Sequence, residues 1–216
     1  MIRKVTVLLI AAISVLVFVV GSFVYSELNT STETKLSGNA KLEREYSPVI
    51  GTIDAPVTVV EFFDPACEAC RAFHPYVKRL ITESRGNVRV VLRYAAFHQP
   101  SEEAVRILEA ARKQGLFDVV LERLYETQPR WAPHGKPAED IWPMLVGTGL
   151  DIDLAKQDAM HNDVQLVLDQ DAKDIQMLGV NRTPTFYVNG KKLAEFGVQQ
   201  LYDLVGQELA SYFEKE

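Results

Sequence analysis

Glu61-Phe62-Phe63-Asp64-Pro65-Ala66-Cys67-Glu68-Ala69-Cys70 decides how the chain is read, because it holds both of the protein's cysteines. The residues leading into it, Val57-Thr58-Val59-Val60-Glu61-Phe62-Phe63, are β-branched and aromatic, the composition of a buried strand. After it, Cys70, Phe73, Val77, Leu80 and Ile81 recur at helical spacing on one face. The Cys-x-x-Cys pair therefore falls on a strand-to-helix turn, with Cys67 near the helix N-terminus. Unpaired backbone N–H groups at that end favour negative charge, so a Cys67 thiolate is stabilised there. Cys70 comes within the first helical turn, close enough for a disulfide. An incoming thiolate should attack the more exposed Cys67, and Cys70 should resolve the mixed disulfide.

Two plainer readings compete with redox chemistry. A structural disulfide across two intervening residues closes too small a loop to stabilise much. A zinc site normally takes four ligands, and the chain has no second cysteine pair. The strand-turn-helix setting favours a redox pair over both, and no metal is expected.

Three further positions carry a resemblance. Glu61 lies six residues before Cys67, Pro75 five after Cys70, and Thr183-Pro184-Thr185-Phe186 stands far downstream. Together with the cysteines, these resemble the thioredoxin-fold thiol-disulfide oxidoreductases, and more closely their DsbA-like branch. The resemblance covers about residues 46 to 216. It implies an α/β thioredoxin fold with an inserted helical domain, and an enzyme that needs no cofactor beyond the Cys67–Cys70 disulfide. It also implies roles: Glu61 as a buried acid assisting proton transfer, and Pro75 as a kink in the active-site helix. Thr183 and Pro184, with Arg182 beside them, form a substrate platform entered by a cis peptide bond.

Met1-Ile2-Arg3-Lys4 is basic, and residues 5–25 then carry no charge. That run is long enough to cross a bilayer and longer than the apolar core of most signal peptides. Arg3 and Lys4 keep its N-terminal side cytoplasmic and export the rest of the chain. A single-pass anchor is the reading adopted for 1–25, with a cleaved signal peptide as the alternative. Residues 26–47, rich in Ser, Thr, Asn, Glu and Lys, read as a linker, and 48–216 as the catalytic domain. The expected place is the periplasmic or other extracytoplasmic face of a bacterial inner membrane. Expected partners are exported polypeptides with cysteines and a membrane redox partner. A net charge of −6 argues against nucleic acid.

Beyond the active-site helix, Val88 to Tyr94 reads as a second strand, parallel to the first with that helix as crossover. From about 99 to 178 the pattern is wholly helical. Its second helix is expected to stop before Pro129, and an irregular stretch with four prolines spans Gln128 to Pro143. Thr185-Phe186-Tyr187-Val188 and Lys191-Lys192-Leu193-Ala194 pair across an Asn189-Gly190 hairpin, and a final amphipathic helix closes the domain.

The dipeptide between the cysteines should tune the potential. Strongly oxidising relatives resemble Cys-Pro-His-Cys, whereas this chain has Glu68-Ala69. A carboxylate beside Cys67 is expected to raise its pKa and weaken the oxidant. His74, one turn past Cys70, is a further tuning candidate, while His98, His134 and His161 lack metal-ligand spacing. Trp131 and Trp142 read as core before groove. A reductase or isomerase, and a non-enzymatic chaperone or copper carrier, are the alternative functions.

Overall fold

The structure is a computed structural model describing residues 42–133 and 135–214. The expected membrane-crossing run 5–25, most of the linker 26–47 and His134 lie outside those residues. Among the described residues, no helix is long and apolar enough to cross a membrane.

One five-stranded sheet organises the domain. Its strands are β1 (Val49–Gly51), β2 (Val57–Phe63), β3 (Val88–Tyr94), β4 (Thr185–Val188) and β5 (Lys191–Lys192), in the spatial order β1–β3–β2–β4–β5. β2 and β3 are parallel and the other neighbouring pairs antiparallel. Helix α1 (Glu68–Glu83) is the crossover between the parallel pair. At the β4–β5 hairpin, Asn189 and Gly190 take positive φ of 46° and 81°, a geometry these two residue types tolerate. β5 ends at Lys192, two residues earlier than its sequence suggests.

β2 lies at the centre, and its side chains alternate between two buried layers. Val57, Val59 and Phe63 pack with Cys70, Phe73, Val77 and Leu80 of α1. Val60 and Phe62 face the other way, against Ile175, Val180 and Tyr187. Glu61 falls between Val59 and Phe63 in the same alternation, so it belongs to the layer that carries the cysteine helix.

Between β3 and β4 the chain forms α2 (Ser101–Lys113), α3 (Phe117–Trp131), a 3-10 turn (Trp142–Leu145), α4 (Ile152–Ala159) and α5 (Asn162–Leu178). Helix α6 (Val198–Phe213) comes after the hairpin. Asp151 caps α4 by accepting the Leu154 N–H at 3.0 Å. α3 runs through Pro129 instead of ending before it. The last turn is held by burial of Gln128 and Trp131, whose indole N–H donates to the Leu124 carbonyl at 2.9 Å. Trp131 is core, as its sequence context suggests; Trp142 is half-buried and donates to Glu103.

The sheet also recruits a segment that reads as linker in the sequence. Arg93 of β3 is fully buried and donates to Asp171 and Asp174 of α5, each at 2.7 Å. Arg44 shares Asp174 at 2.8 Å, Tyr46 donates its hydroxyl to Asp171, and the Leu42 carbonyl accepts from Arg93 at 2.8 Å. Residues 42–47 therefore belong to the folded domain, because they complete the pairing of a buried ion cluster that would be costly to leave open.

Candidate active site

Cys67 is the N-cap of α1, with φ −77° and ψ 122°, so the chain is still extended where the first helical turn begins. Cys67 is 8% exposed and Cys70 is 0%, and both are unbridged thiols. The Cys67 thiol donates to the Thr183 carbonyl at 3.4 Å, and the Asp64 N–H donates to Cys70 Sγ at 3.4 Å. A loop 116 residues downstream thus lies against the cysteine turn. The Thr183–Pro184 bond in that loop is cis. Arg182 is exposed, and its carbonyl accepts the Thr185 hydroxyl at 2.7 Å.

The two thiols are driven apart in acidity. Cys67 is pulled down to about 5, chiefly because the Cys70 thiol donates a hydrogen bond to its thiolate. Burial opposes this, while the Thr183 hydroxyl and the backbone N–H groups of Cys70 and Ala69 reinforce it. Thr183 thus meets both states, its carbonyl accepting from the thiol and its hydroxyl donating to the thiolate. Cys70 is pushed well above the ordinary thiol range by burial first, then by its bond to Cys67 and the nearby Glu61 charge. Glu61, 4% exposed, is raised to about 8 by burial and, secondarily, by the Cys67 charge.

Two tuning residues act otherwise than their spacing suggests. Glu68 is exposed, and its carboxylate is absent from the largest influences on Cys67. The dipeptide contributes through the Ala69 amide, because hydrogen bonds made at contact outweigh a charge facing solvent. His74 pairs with Glu122 of α3 at 3.0 Å, and its ring lies 4.9 Å from that of Tyr125. It joins α1 to α3 and is absent from the largest influences on either thiol.

Three residues emerge that the linear sequence does not single out. Asp64 is fully buried, and its carboxyl accepts the N–H groups of Ala66 at 2.8 Å, Phe97 at 2.9 Å and His98 at 3.1 Å. The Ser101 hydroxyl donates to it as well, and the His98 ring stands 2.6 Å away. From α3, the buried Gln128 side-chain N–H₂ donates to the carbonyls of Pro65 at 2.7 Å and Cys67 at 3.1 Å. One side chain collects the donors of the cysteine turn and the other its acceptors. Tyr125, also on α3, is buried within electrostatic reach of Cys67, Cys70 and Glu61. Among the described residues, no group of three or more His, Cys, Asp or Glu side chains stands ready to hold a metal.

Gln128→Leu should cost about 1–3 kcal/mol in denaturant unfolding, since the buried Pro65 carbonyl loses its donor and the Cys67 carbonyl keeps only the Arg71 N–H. The cost is moderated because the wild-type Gln128 Oε1 is itself buried without a partner. Unchanged stability would mean that these two bonds contribute nothing net.

The parallel pair, the helix on its crossover and the cysteines at the helix start define a thioredoxin-type domain. A family model described as thioredoxin matches residues 43–205, and the chain belongs to that family. With its helical block between β3 and β4, it is one of the DsbA-like members. It is 28% identical to the "probable disulfide bond formation protein D" of Bacillus cereus, over 84% of this chain and 86% of that one. The crystal structure of oxidised BdbD from Bacillus subtilis superposes with a TM-score of 0.66 at 26% identity, covering 76% of this chain and 93% of that one. The chain is also 30% identical to a Na(+)/H(+) antiporter NhaA 1 of Mycolicibacterium gilvum, over 85% of its own length but only 30% of that protein's.

Proposed function

We propose that this chain is a membrane-tethered, extracytoplasmic thiol-disulfide oxidoreductase that introduces disulfides into exported polypeptides. The carrying observation is the split between the cysteines: an acidic Cys67 at the helix start with 8% of its surface exposed, and a weakly acidic Cys70 with none. The name of the Bacillus cereus relative supports the reading. The basic start and the uncharged run 5–25 support export and tethering.

A substrate thiolate attacks Cys67 Sγ of the Cys67–Cys70 disulfide. That S–S bond breaks, and Cys70 leaves with the electron pair and takes a proton from Glu61, which is protonated at neutral pH. The substrate's second thiol loses its proton and attacks its own half of the mixed disulfide, releasing Cys67 as a thiolate. The substrate then holds a disulfide and the enzyme two thiols. A separate oxidant, a membrane redox partner in this reading, must accept the two electrons. Thr183 and Pro184 present backbone to the extended substrate beside Cys67.

A stabilised Cys67 thiolate favours the reduced enzyme and so makes its disulfide a stronger oxidant. This reverses the poise expected from Glu68 alone. Equilibration with glutathione tests it: an oxidising potential, with oxidation of a reduced model protein outpacing reduction of insulin, is the expected result. A reducing potential with the opposite preference would replace the oxidase reading by the reductase one.

The proton carrier has its own signature. Glu61→Gln should slow formation of the mixed disulfide, the step in which Cys70 leaves and is protonated, on the order of 10²-fold, the scale of lost general acid–base catalysis. The inflection near pH 8 in the wild-type pH–rate profile should go with it. An unchanged profile would assign that inflection to another group.

A further inference from the structure

The groove beside the Thr183–Pro184 bond has an apolar floor and a cationic rim. It measures about 310 Å³, and Arg182, Pro184, Phe186, Lys192, Leu193 and Phe196 line it. That volume is at the low end for clefts that hold small ligands and suits a short stretch of peptide. Phe196 is 51% exposed yet fixed in place, because its ring stacks at 4.5 Å on Phe73 of α1. The apolar wall is thus attached to the helix that begins at Cys67. At the other end, the groove begins next to Thr183, whose carbonyl is 3.4 Å from Cys67 Sγ.

Its charge runs against that of the protein. The chain carries −6 overall, but among the described residues the groove is lined by two cations and by no carboxylate. Arg182 has no ion-pair partner among the described residues. The Lys192 ammonium lies 5.9 Å from the Tyr187 ring centroid and is not neutralised by a carboxylate there.

We propose that the groove selects extended cysteine-containing segments that carry an apolar side chain beside the reactive cysteine and an Asp or Glu just beyond it. The apolar group packs on Leu193 and Phe196, and the carboxylate meets Arg182 and Lys192. This selection rests on the oxidoreductase reading and names the substrate class that reading leaves open. Each exposed ion pair is worth only a few-fold in rate, and the two cations together about three- to tenfold.

The test uses the oxidised full-length protein and single-cysteine peptides that differ at two positions: Phe-Glu, Phe-Lys, Ser-Glu and Ser-Ser after the cysteine. The rate at which each peptide, in excess, reduces the Cys67–Cys70 disulfide is divided by that peptide's rate with 2-hydroxyethyl disulfide. This cancels the effect of the flanking charge on the peptide thiol itself. Phe-Glu should exceed Phe-Lys about three- to tenfold, less so at high salt. The double variant Arg182→Glu, Lys192→Glu should invert that ratio, and Phe196→Ser should erase the advantage of Phe over Ser. Ratios between peptides remain readable where a variant is partly unfolded. Equal normalised rates for all four peptides would overturn the inference and leave the oxidoreductase intact. Failure of every peptide to reduce the Cys67–Cys70 disulfide would instead overturn the oxidoreductase reading.

Discussion

Cys70→Ser is expected to trap mixed disulfides between Cys67 and substrate polypeptides, visible as adducts on non-reducing gels and released by a reductant. Cys67→Ser should lower exchange to the uncatalysed rate and leave no adducts. The asymmetry comes from position. Cys67 is the N-cap residue of α1 and keeps a small exposed surface, whereas Cys70 has none. With Cys70 gone, the mixed disulfide lacks the internal thiol that would attack it. Alkylation of the reduced wild-type protein should accordingly label Cys67 first. Labelling of Cys70 first, or adducts in the Cys67 variant alone, would exchange the roles.

Reduced protein should gain stability over oxidised protein as pH rises from about 5 to 9. In the reduced fold Cys67 ionises near 5, against an ordinary value of 9.0 when unfolded. A group whose folded pKa is depressed contributes fully above the unfolded pKa and loses that contribution as pH falls through the folded one. At 1.36 kcal/mol per unit, the thiolate stabilises the reduced form by about 2–3 kcal/mol at pH 7 and up to ~5 kcal/mol near pH 9, above which the raised Cys70 thiol gives stability back. The pH 7 figure corresponds to about 60 mV toward a more oxidising disulfide. The burial that keeps Glu61 protonated is common to both forms and drops out of the difference. Denaturant unfolding of both forms across this range gives the measurement. A flat difference would mean that the fold does not hold the thiolate.

How much of this was legible in the sequence depended on the distance over which each effect acts. The alternation through β2 and the helical spacing after Cys70 are local, so strand, turn and helix could be read directly, whereas the burial of Glu61 was legible only through the resemblance. Arg93 looked like an ordinary residue of a strand, because its partners Asp171 and Asp174 lie 78 and 81 residues away. Asp64 sat beside the cysteines without a role, since the loop donors it gathers stand 33 to 37 residues downstream. Gln128 reaches back 61 and 63 residues. Glu68 was overweighted for the converse reason. It is the nearest charge to Cys67 in sequence, yet its side chain is absent from the largest influences on the thiol, while Thr183, 116 residues away, is in contact. The Thr-Pro loop was legible only through its resemblance to a family pattern.

The Gln128 bonds make the helical block and the sheet mechanically continuous at the cysteines. The block cannot tilt away from the sheet without pulling on the carbonyls of Pro65 and Cys67, the peptide groups that set the direction of the first turn of α1. A force applied to α3 from outside, by a docked protein or a neighbouring membrane, is therefore delivered to the start of the helix that carries Cys67. The insertion serves as a lever whose short arm ends at the reactive sulfur.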